Sequence, residues 1–333
     1  MSEEVTVSIL MPVRNEERHV RHAIVGMQAQ RFAEGIEFLV VDGDSSDTTQ
    51  QIAKALAEDD SRIVLLQNPG RTIPRALNIG LAKARGEFVV RMDAHTRYPA
   101  DYVERGVRRL REGGVDWVSG PALAQADGLW SRRVALALAG WLGTGGAAFR
   151  RDAALEREVD SGFTGVWRRT TLNDHGGWDE AWRVNEDAEL AARFREVGRR
   201  IVCVPEMAAR YIPRDSIPAL ARQYTRYGYY RAKTSRRHPS SARPSHVFPP
   251  AVALATIGSL APFRPLRQAC RTAMGVYTAS LLAASVQAGR DAAWSDAAAL
   301  PIVFATMHLS WGFGFLGGCL RFGLPRRAPT IVR

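Results

Sequence analysis

Four apolar stretches near the N-terminus decide the fold: VTVSILMPV (5–13), EFLVV (37–41), RIVLLQ (62–67) and EFVVRM (87–92). Short apolar runs of this kind, the first rich in β-branched residues, are typical of buried strands. The segments between them, at 15–30, 48–57 and 73–84, are predicted helices. Strands that alternate with helices in this way predict an α/β fold, with a parallel sheet covered by helices on both faces.

The rest of the chain is less regular. Further strands are predicted at 115–120, 163–168 and 201–204, and an amphipathic helix at 187–197. From Val247 onward the composition shifts to three apolar segments, at 247–263, 272–289 and 297–320. A Ser/Pro/Arg-rich stretch at 234–245 precedes them. We therefore expect an α/β domain over residues 1–235, a basic linker over 236–246 and a region of apolar helices over 247–333.

Composition bounds the function without fixing it. The 333 residues are 46% apolar, which excludes wholesale disorder, and their formal charge of +11 predicts attraction to polyanions. Cys203, Cys270 and Cys319 form no CxxC pair, so neither a disulfide framework nor a zinc site is expected, and a reducing compartment fits. The acidic start, MSEE, lacks the features of a signal peptide, which predicts that the N-terminal part stays in the cytoplasm.

Acidic side chains follow two of the predicted strands. Asp42 and Asp44 come after the second strand, and Asp93 with His95 after the fourth. Ligands of open parallel sheets bind at the carboxyl ends of the strands. Asp42 alone fits an ordinary turn equally well, and Asp47 is predicted only to cap the next helix.

The spacing of Asp93 and His95 is harder to explain by a turn. Two metal ligands one residue apart at a strand end can point the same way when the backbone turns there. Carboxylate oxygen and imidazole nitrogen suit Mn²⁺, and Mg²⁺ less well. A divalent cation held there could bridge two phosphates and neutralise a departing diphosphate.

A second acidic pair, Glu186 and Asp187, opens the predicted helix at 187–197. An acidic first turn that complements the helix dipole explains such residues in general, and Glu189 in particular. However, the approach GGWDEAW (176–182) is rich in glycine and aromatic residues, which is unusual for a surface cap. A carboxylate fixed at this place could act as a general base toward an alcohol.

A basic and aromatic segment, RQYTRYGYYR (222–231), is the third candidate element. Arg222, Arg226 and Arg231 lie near one face of the predicted helix. A solvated basic helix would account for them. Arginines clustered with stacking rings also suit a pyrophosphate together with a sugar or a base.

In order and spacing, these motifs resemble the family 2 glycosyltransferases. The resemblance extends over residues 5–235 and is greatest for the membrane-linked enzymes of succinoglycan-type exopolysaccharide assembly. The matching stretches are MPVRNE (11–16), VDGDSSD (41–47), NPGRTIPRALNIGLAKARG (68–86), RMDAH (91–95), GGWDE (176–180), NED (185–187) and QYTRY (223–227). The resemblance implies the GT-A fold, a Rossmann-like mixed but mostly parallel sheet with helices on both faces.

The resemblance also implies roles for individual residues. Asp187 matches the base that deprotonates the acceptor hydroxyl, with Glu186 beside it, and Asp93 and His95 match the element that holds ribose and metal-bound diphosphate. The implied donor-binding residues are Pro12, Arg14, Glu16, Asp42, Asp44, Arg71, Asp93, Gln223, Arg226 and Tyr227. The implied reaction is a single in-line displacement with inversion, assisted by Mn²⁺ or Mg²⁺.

Two positions depart from the family pattern. His95 replaces the second aspartate of the DxD element, which leaves the identity of the metal open. Tyr227 replaces the tryptophan of the QxxRW element, which keeps an aromatic ring but weakens the match.

The C-terminal apolar segments raise the question of membrane insertion, because at least one of them is long enough to span a bilayer. The segment 297–320 could span a bilayer, 272–289 is borderline in length, and prolines in 247–263 make a straight crossing unexpected. Arginines before the second segment and after the third predict a two-span hairpin with both ends cytoplasmic and the first segment at the interface. A helical appendage with buried core helices is the alternative.

The resulting expectation is an inverting glycosyltransferase at the cytoplasmic face of the membrane. The expected partners are a nucleotide-sugar donor, a glycan or polyprenyl-linked acceptor and membrane lipid, with glucose from a uridine donor as the family-weighted expectation. The alternatives are a polyprenyl-phosphate sugar synthase and a non-catalytic nucleotide-sugar-binding subunit of a glycan assembly complex. Nucleic acid is not an expected partner, because the chain has no recognition motif for it.

Overall fold

The four predicted N-terminal strands lie side by side in one sheet. The structure, a computed structural model, describes residues 4–143, 145 and 154–325. The strands are β1 (Val5–Val13), β2 (Gly35–Asp42), β3 (Ile63–Gln67), β4 (Phe88–Arg91), β5 (Thr96–Arg97), β6 (Trp117–Ser119), β7 (Ala122–Ala124), β8 (Arg157–Glu158), β9 (Gly165–Arg168), β10 (Ile201–Cys203) and β11 (Ala209–Tyr211). The helices are α1 (Val20–Gln28), α2 (Thr49–Asp59), α3 (Ile73–Lys83), α4 (Tyr102–Arg111), α5 (Leu129–Ala139), α6 (Arg169–Asp174), α7 (Glu186–Glu196), α8 (Ile217–Arg237), α9 (Phe248–Gly258), α10 (Arg264–Ala288), α11 (Trp294–Ala297) and α12 (Leu300–Phe322).

Among the described residues the main sheet has the order β3-β2-β1-β4-β9-β6-β10-β8. Strands β1 to β4 run parallel, whereas β9 is antiparallel to both β4 and β6, and β8 is antiparallel to β10. The sheet is therefore mixed and mostly parallel, as the resemblance implies. A second sheet has the order β5-β11-β7.

Alternate residues of β1 fill two cores, one on each face of the main sheet. Val7, Ile9 and Met11 pack among residues of α1, α2 and α4. Leu10, on the opposite face, packs among residues of α3, α6 and α7. These side chains are at most 1% exposed, and complete burial of each contributes about 1.5–3 kcal/mol. Because both faces are covered, the strands are apolar throughout rather than alternating.

The described residues divide into two compact units. The first comprises residues 4–123 and 154–211, and the second comprises 124–143, 145 and 212–325. This boundary lies earlier than the expected domain edge at 235, because α8 packs along α12 within the second unit. The expected linker holds the end of α8 and two short 3₁₀ helices, Pro239–Ser241 and Pro244–Val247. No feature of the sequence indicates that residues 124–143 join this unit.

Glycines bring α8 and α12 of the second unit into close contact. A Cβ on Gly228 would collide with the carbonyl oxygen of Trp311, and one on Gly314 would collide with that of Thr225. His308 of α12 lies 3.0 Å from the hydroxyl of Tyr277 through Nδ1 and 3.1 Å from the carbonyl oxygen of Leu142 through Nε2. Part of α12 is thus buried against the rest of the unit.

Only one helical stretch among the described residues, Trp294–Phe322, is long and apolar enough to cross a membrane by length and composition. It includes the segment 297–320 predicted to span. The other expected span, 272–289, is the C-terminal part of α10, a longer helix whose first turns carry Arg264, Arg267 and Arg271. The two-span hairpin therefore stays a prediction.

Candidate active site

The loops at one edge of the main sheet hold most of the predicted site residues of the first unit. Asp42 pairs in register with Val13 of β1 and with Gln67 of β3, so the three strands end together. Several non-glycine residues here have left-handed backbones, a conformation that concentrates at functional sites. They are Asn15 (φ 52°), Asp44 (φ 57°), Arg71 (φ 58°) and Asn185 (φ 63°).

Arg91 lies at the centre of the site. It is the last residue of β4 and its side chain is 3% exposed. Its Nε donates to Asp93 Oδ1 at 2.8 Å and its Nη2 donates to Asp93 Oδ2 at 3.2 Å. Its Nη1 donates to Glu186 Oε1 at 3.0 Å and to Asp187 Oδ1 at 2.8 Å. One guanidinium thus joins the acidic residue after β4 to the acidic pair that begins α7.

Asp93 is held by its backbone as well as by its side chain. Its N–H donates to the phenol oxygen of Tyr98 at 2.9 Å, and burial raises the pKa of that phenol well above its ordinary value. Burial opposes ionisation of Asp93 itself. The charge and hydrogen bonds of Arg91 outweigh burial and keep the pKa of the Asp93 carboxyl below its ordinary value. Asp93 is therefore a fixed, ionised carboxylate.

The two acids at the start of α7 differ in exposure. The side chain of Glu186 is 8% exposed, whereas that of Asp187 is 17% exposed. Burial raises the pKa of Asp187 to about 7, and the neighbouring charges of Glu186 and Asp93 act in the same direction. Arg91 and the indole of Trp178 act in the opposite direction. Asp187 therefore combines access to solvent with a pKa suited to proton transfer at neutral pH.

The loop that leads to these acids is fixed by Asn78 and Arg193. The side chain of Asn78 donates to the carbonyl oxygen of Trp178 at 2.8 Å and accepts from the N–H of Trp178 at 2.9 Å. Arg193 donates to the carbonyl oxygens of His175 and Gly177, at 2.5 and 2.8 Å. A side chain at Gly177 would meet Asn78 and would have to adopt a left-handed backbone (φ 65°), so only glycine fits.

Glu189 differs from its expected role. The dipole argument predicted an ordinary acidic residue in the first turn of the helix. The side chain of Glu189 is instead fully buried, and its two oxygens accept from Arg193 at 2.7 and 2.8 Å. Its function is to hold Arg193, which in turn holds the loop before Trp178.

The loops after β1 and β2 are bonded to each other. The N–H of Asn15 donates to Ser45 Oγ at 2.9 Å, and the N–H of Glu16 donates to Thr49 Oγ1 at 2.8 Å. The N–H of Thr49 also donates to Asp47 Oδ1 at 3.0 Å, although the N-cap residue of α2 is Thr48 and Asp47 also accepts from the N–H of Glu17. The end of β1 and the loop after it carry three of the predicted donor-binding residues: Pro12, Arg14 and Glu16.

Asp42 and Asp44 have different surroundings. Asp42 is 6% exposed, and its carboxylate accepts from the hydroxyl of Ser45 and from the amide of Gln50, both at 2.5 Å. A cavity of about 230 Å³ opens beside it, between α2 and strands β2 and β3. Asp44 is exposed and accepts from Nε of Arg71 at 2.8 Å. The structure thus brings Asp44 and Arg71 together as an ion pair at the surface.

The remaining predicted residues lie on α8, in the second unit. The amide of Gln223 donates to the hydroxyl of Tyr227 at 3.0 Å, and Arg226 is exposed. Their predicted approach to the donor stays a prediction.

The metal prediction rests on few ligands. The structure contains no group of three or more His, Cys, Asp or Glu side chains arranged to hold a metal ion, in the part of the chain that it describes. His95 Nδ1 lies 3.7 Å from Glu16 Oε1 and is 37% exposed, and both oxygens of Asp93 accept from Arg91. One carboxylate and one imidazole fit a cation that takes its other ligands from a diphosphate and water.

Sequence reasoning missed three residues of this site, Arg91, Tyr98 and Trp178. A signal for Arg91 was present, because a lone arginine inside an otherwise apolar strand must find buried partners. No comparable signal marks Tyr98 or Trp178, since buried aromatic residues are ordinary members of a core.

Comparison with known proteins agrees with the geometry. The family model described as glycosyl transferase family 2 matches residues 8–172. The succinoglycan biosynthesis protein ExoA of Rhizobium meliloti (strain 1021) is 30% identical over 328 residues, which are 96% of this chain and 98% of that protein.

Two solved structures share the fold. The mannosyltransferase PcManGT of Pyrobaculum calidifontis, in complex with GDP-Man and Mn²⁺, superposes with a TM-score of 0.60 at 21% identity, over 96% of this chain and 88% of that one. TarS 1–349 of S. aureus in complex with UDP gives 0.50 at 14% identity, over 95% and 91% of the two chains. The sequence relationship, the GT-A fold and the strand-end carboxylates lead to one conclusion: the chain belongs to glycosyl transferase family 2 and is a glycosyltransferase.

Proposed function

We propose that this glycosyltransferase transfers a hexose, with inversion, from a nucleotide sugar to a glycan or lipid-linked acceptor in the synthesis of an exopolysaccharide. The observation that carries the proposal is the joining of Asp93 to Glu186 and Asp187 by one buried arginine. Asp93, which would hold a metal-bound diphosphate, and Asp187, which would accept the proton of the acceptor hydroxyl, thereby lie within one hydrogen-bonded group. The name of the Rhizobium relative supports the polysaccharide product.

The chemistry follows from the residues of the first unit. Asp187 accepts the proton of the acceptor hydroxyl, and the oxygen attacks the anomeric carbon as the bond to the nucleoside diphosphate breaks. A single displacement of this kind inverts the anomeric configuration. Glu186, which is more buried, keeps its bond to Arg91 and supports Asp187. No covalent intermediate with the enzyme is required.

On the donor side, Asp42 would accept a hydrogen bond from the nucleobase. Pro12 at the end of β1, with Arg14 and Glu16 of the loop after it, would line the same pocket. Arg71 would exchange its pairing with Asp44 for the donor. Asp93 and His95 would hold a divalent cation, which when bound would neutralise charge on the departing diphosphate. A uridine donor carrying glucose remains the family-weighted choice.

A donor screen tests the proposal. Release of nucleoside diphosphate from UDP-glucose, UDP-galactose, GDP-mannose and related donors is measured with Mn²⁺, with Mg²⁺ and with EDTA. We expect release from one donor, lost in EDTA, and greater release when membrane lipid extract supplies an acceptor. If donors bind but none is cleaved, even with polyprenyl-linked acceptors, the scaffold alternative replaces the proposal.

We further propose that the second unit docks on an anionic membrane through the turn between α9 and α10. Leu260 and Phe263 of this turn are 81% and 65% exposed. Nη1 of Arg267 donates to the carbonyl oxygen of Ala261 at 3.1 Å, and Nε of Arg271 donates to that of Ser259 at 3.2 Å. An apolar tip with guanidinium groups beside it suits the interface of a bilayer with anionic headgroups.

This docking differs from a two-span hairpin. Helix α12 packs along α8, where Gly318 touches the backbone of Tyr229 and Lys233 lies 5.7 Å from the ring of Phe322. If α12 spanned the bilayer, the arginines of α8 would be drawn toward the hydrocarbon core. Each arginine placed at the centre of the bilayer would cost about 2.5–3.5 kcal/mol in free energy. Association at the surface avoids this cost.

Vesicle flotation tests the docking. We expect the protein to float with phosphatidylglycerol vesicles and poorly with phosphatidylcholine alone. The double variant Leu260→Ser/Phe263→Ser should lose more than about tenfold in binding, since each apolar side chain contributes about 1.5–3 kcal/mol on burial. Leu155→Ser is the matched control, because Leu155 is 78% exposed in the first unit. Equal loss in both variants would contradict docking by the tip, and resistance to alkaline carbonate would support spanning instead.

A further inference from the structure

Arg91 occupies a place where a charged side chain is costly to bury. The two residues before it in β4, Val89 and Val90, are fully buried, and Arg91 itself is 3% exposed. A buried guanidinium persists only where acceptors compensate its lost hydration. Arg91 has three carboxylates as acceptors, which is more negative charge than neutrality of the group requires. Compensation of the charge on Arg91 therefore does not by itself explain why three carboxylates surround it.

The geometry of the contacts is specific to arginine. The Nε and Nη2 side of the guanidinium faces both oxygens of Asp93, while Nη1 is shared between Glu186 Oε1 and Asp187 Oδ1. A planar fork with fixed donor directions can serve two separate groups at once. A lysine would keep the charge but would lose the fixed directions.

The two groups that Arg91 joins come from different elements. Asp93 follows β4, whereas Glu186 and Asp187 begin α7, and Asn185 turns the chain into that helix with a left-handed backbone. Asp187 contributes Oδ1 to Arg91 and remains 17% exposed. The direction of the Asp187 carboxylate is therefore set from the strand end that carries Asp93.

We propose that Arg91 is a positioning residue for glycosyl transfer, which fixes the base carboxylate of Asp187 relative to the diphosphate-side carboxylate of Asp93. This inference rests on the proposed function. An in-line displacement requires the attacking oxygen and the leaving diphosphate on opposite sides of one carbon. A shift of about 1 Å in either carboxylate lowers turnover by about 100-fold. A single guanidinium that holds both carboxylates sets this alignment before any substrate binds.

The test is a cycle of variants in the full chain, measured once a donor has been found. Arg91→Lys should lower kcat by about 100-fold while the KM for the donor rises only severalfold. Its Kd for UDP or GDP in the presence of Mn²⁺, measured by calorimetry, should rise severalfold because Asp93 is no longer fixed. Asp187→Asn should lower kcat but leave this Kd within about twofold. In the Asp187→Asn background, Arg91→Lys should cost less than about threefold more in kcat.

Arg168→Lys is the matched control, because it also replaces a guanidinium group that donates to two separate acceptors. Arg168 ends the neighbouring strand β9 and donates to Glu87 at 2.6 Å and to the carbonyl oxygen of Leu110 at 3.0 Å, away from the site carboxylates. Its kcat should stay within about twofold of wild type. Equal losses of kcat in the two lysine variants, or additive effects of Arg91→Lys and Asp187→Asn, would overturn the proposal.

A second measurement does not depend on a folded Arg91 variant. In a crystal structure of the wild-type protein with UDP and Mn²⁺, Arg91 should still contact Asp93 and Asp187 together. Loss of either contact on nucleotide binding would overturn the proposal. If wild type cleaves no donor at all, the proposed function fails, whereas an active wild type that tolerates Arg91→Lys overturns the inference about Arg91 alone.

Discussion

The two units of this protein differ in where they place charged and apolar side chains. In the first unit, charged groups such as Arg91, Asp93 and Glu189 are buried and paired, and most large apolar residues are covered. In the second, Asp296 is likewise buried and paired with Arg132 and Arg133, but apolar residues such as Leu260 and Val276 are exposed. A cluster of buried charges is costly and is typical of a site that performs chemistry. An exposed apolar surface is typical of a site that contacts a membrane or a protein partner. The difference supports the proposals of catalysis by the first unit and of docking by the second.

The largest expected effect comes from removing the buried cation of the first unit. Arg91→Met would leave Asp93, Glu186 and Asp187 without their shared partner. We expect a loss of about 3–5 kcal/mol in the free energy of unfolding, measured with urea, because uncompensated buried charge is strongly destabilising. Arg200→Met is the control, since its pair with Glu158 is more than half exposed on both sides and should contribute less than about 1 kcal/mol. A loss as small as that of the control would mean that the buried group is not what holds β4 to α7.

The second unit should be most sensitive where its helices approach each other. Gly314→Ala would place a Cβ against the carbonyl oxygen of Thr225 and should destabilise the unit by about 1–3 kcal/mol. Gly317→Ala is a control in the same helix, because apart from its chain neighbours and the adjacent backbone of α12 no atom lies within 4 Å of its Cβ position. That variant should be neutral or should stabilise by up to about 1 kcal/mol, through higher helix propensity. Thermal unfolding of both variants measures the difference, and equal effects would refute close packing of α8 against α12.

The smallest of these effects concerns pH. Because burial raises the pKa of Asp187 to about 7, the carboxyl is protonated below that pH and cannot accept the proton of an acceptor. We expect kcat/KM to rise about tenfold per pH unit up to about pH 7 and then to level off. A profile that levels off near pH 4, the ordinary range of an aspartate, would show that Asp187 is not the titrating base.

The sequence predicted the first unit well because its strands are short apolar runs separated by clear turn residues. β1 runs from Val5 to Val13, as predicted. Helix α1, by contrast, begins at Val20 rather than at Asn15, because Asn15 adopts a left-handed backbone and bonds to the β2 loop instead.

The carboxylates of the site were predictable, but the partner that organises them was not. Asp93 and Asp187 are recognisable from local motifs. Their shared contact with Arg91 depends on how β4 meets α7, because Arg91 is separated in the chain from Glu186 by 95 positions and from Asp187 by 96. The boundary between the compact units lies at residue 211 rather than at the expected edge for a related reason. Composition marks the apolar segments, but the contact of α8 with α12 depends on glycines at 228 and 314, which have no side chain to reveal a pattern.

The most direct test of this account is nucleotide release by Asp187→Asn, measured beside its donor binding. We predict that release from the preferred donor falls by about 100- to 10,000-fold, the range of general base catalysis, while the Kd for the nucleoside diphosphate with Mn²⁺ stays within about twofold. Near-normal release from a folded variant would contradict the account, because Asp187 could not then be the base that activates the acceptor.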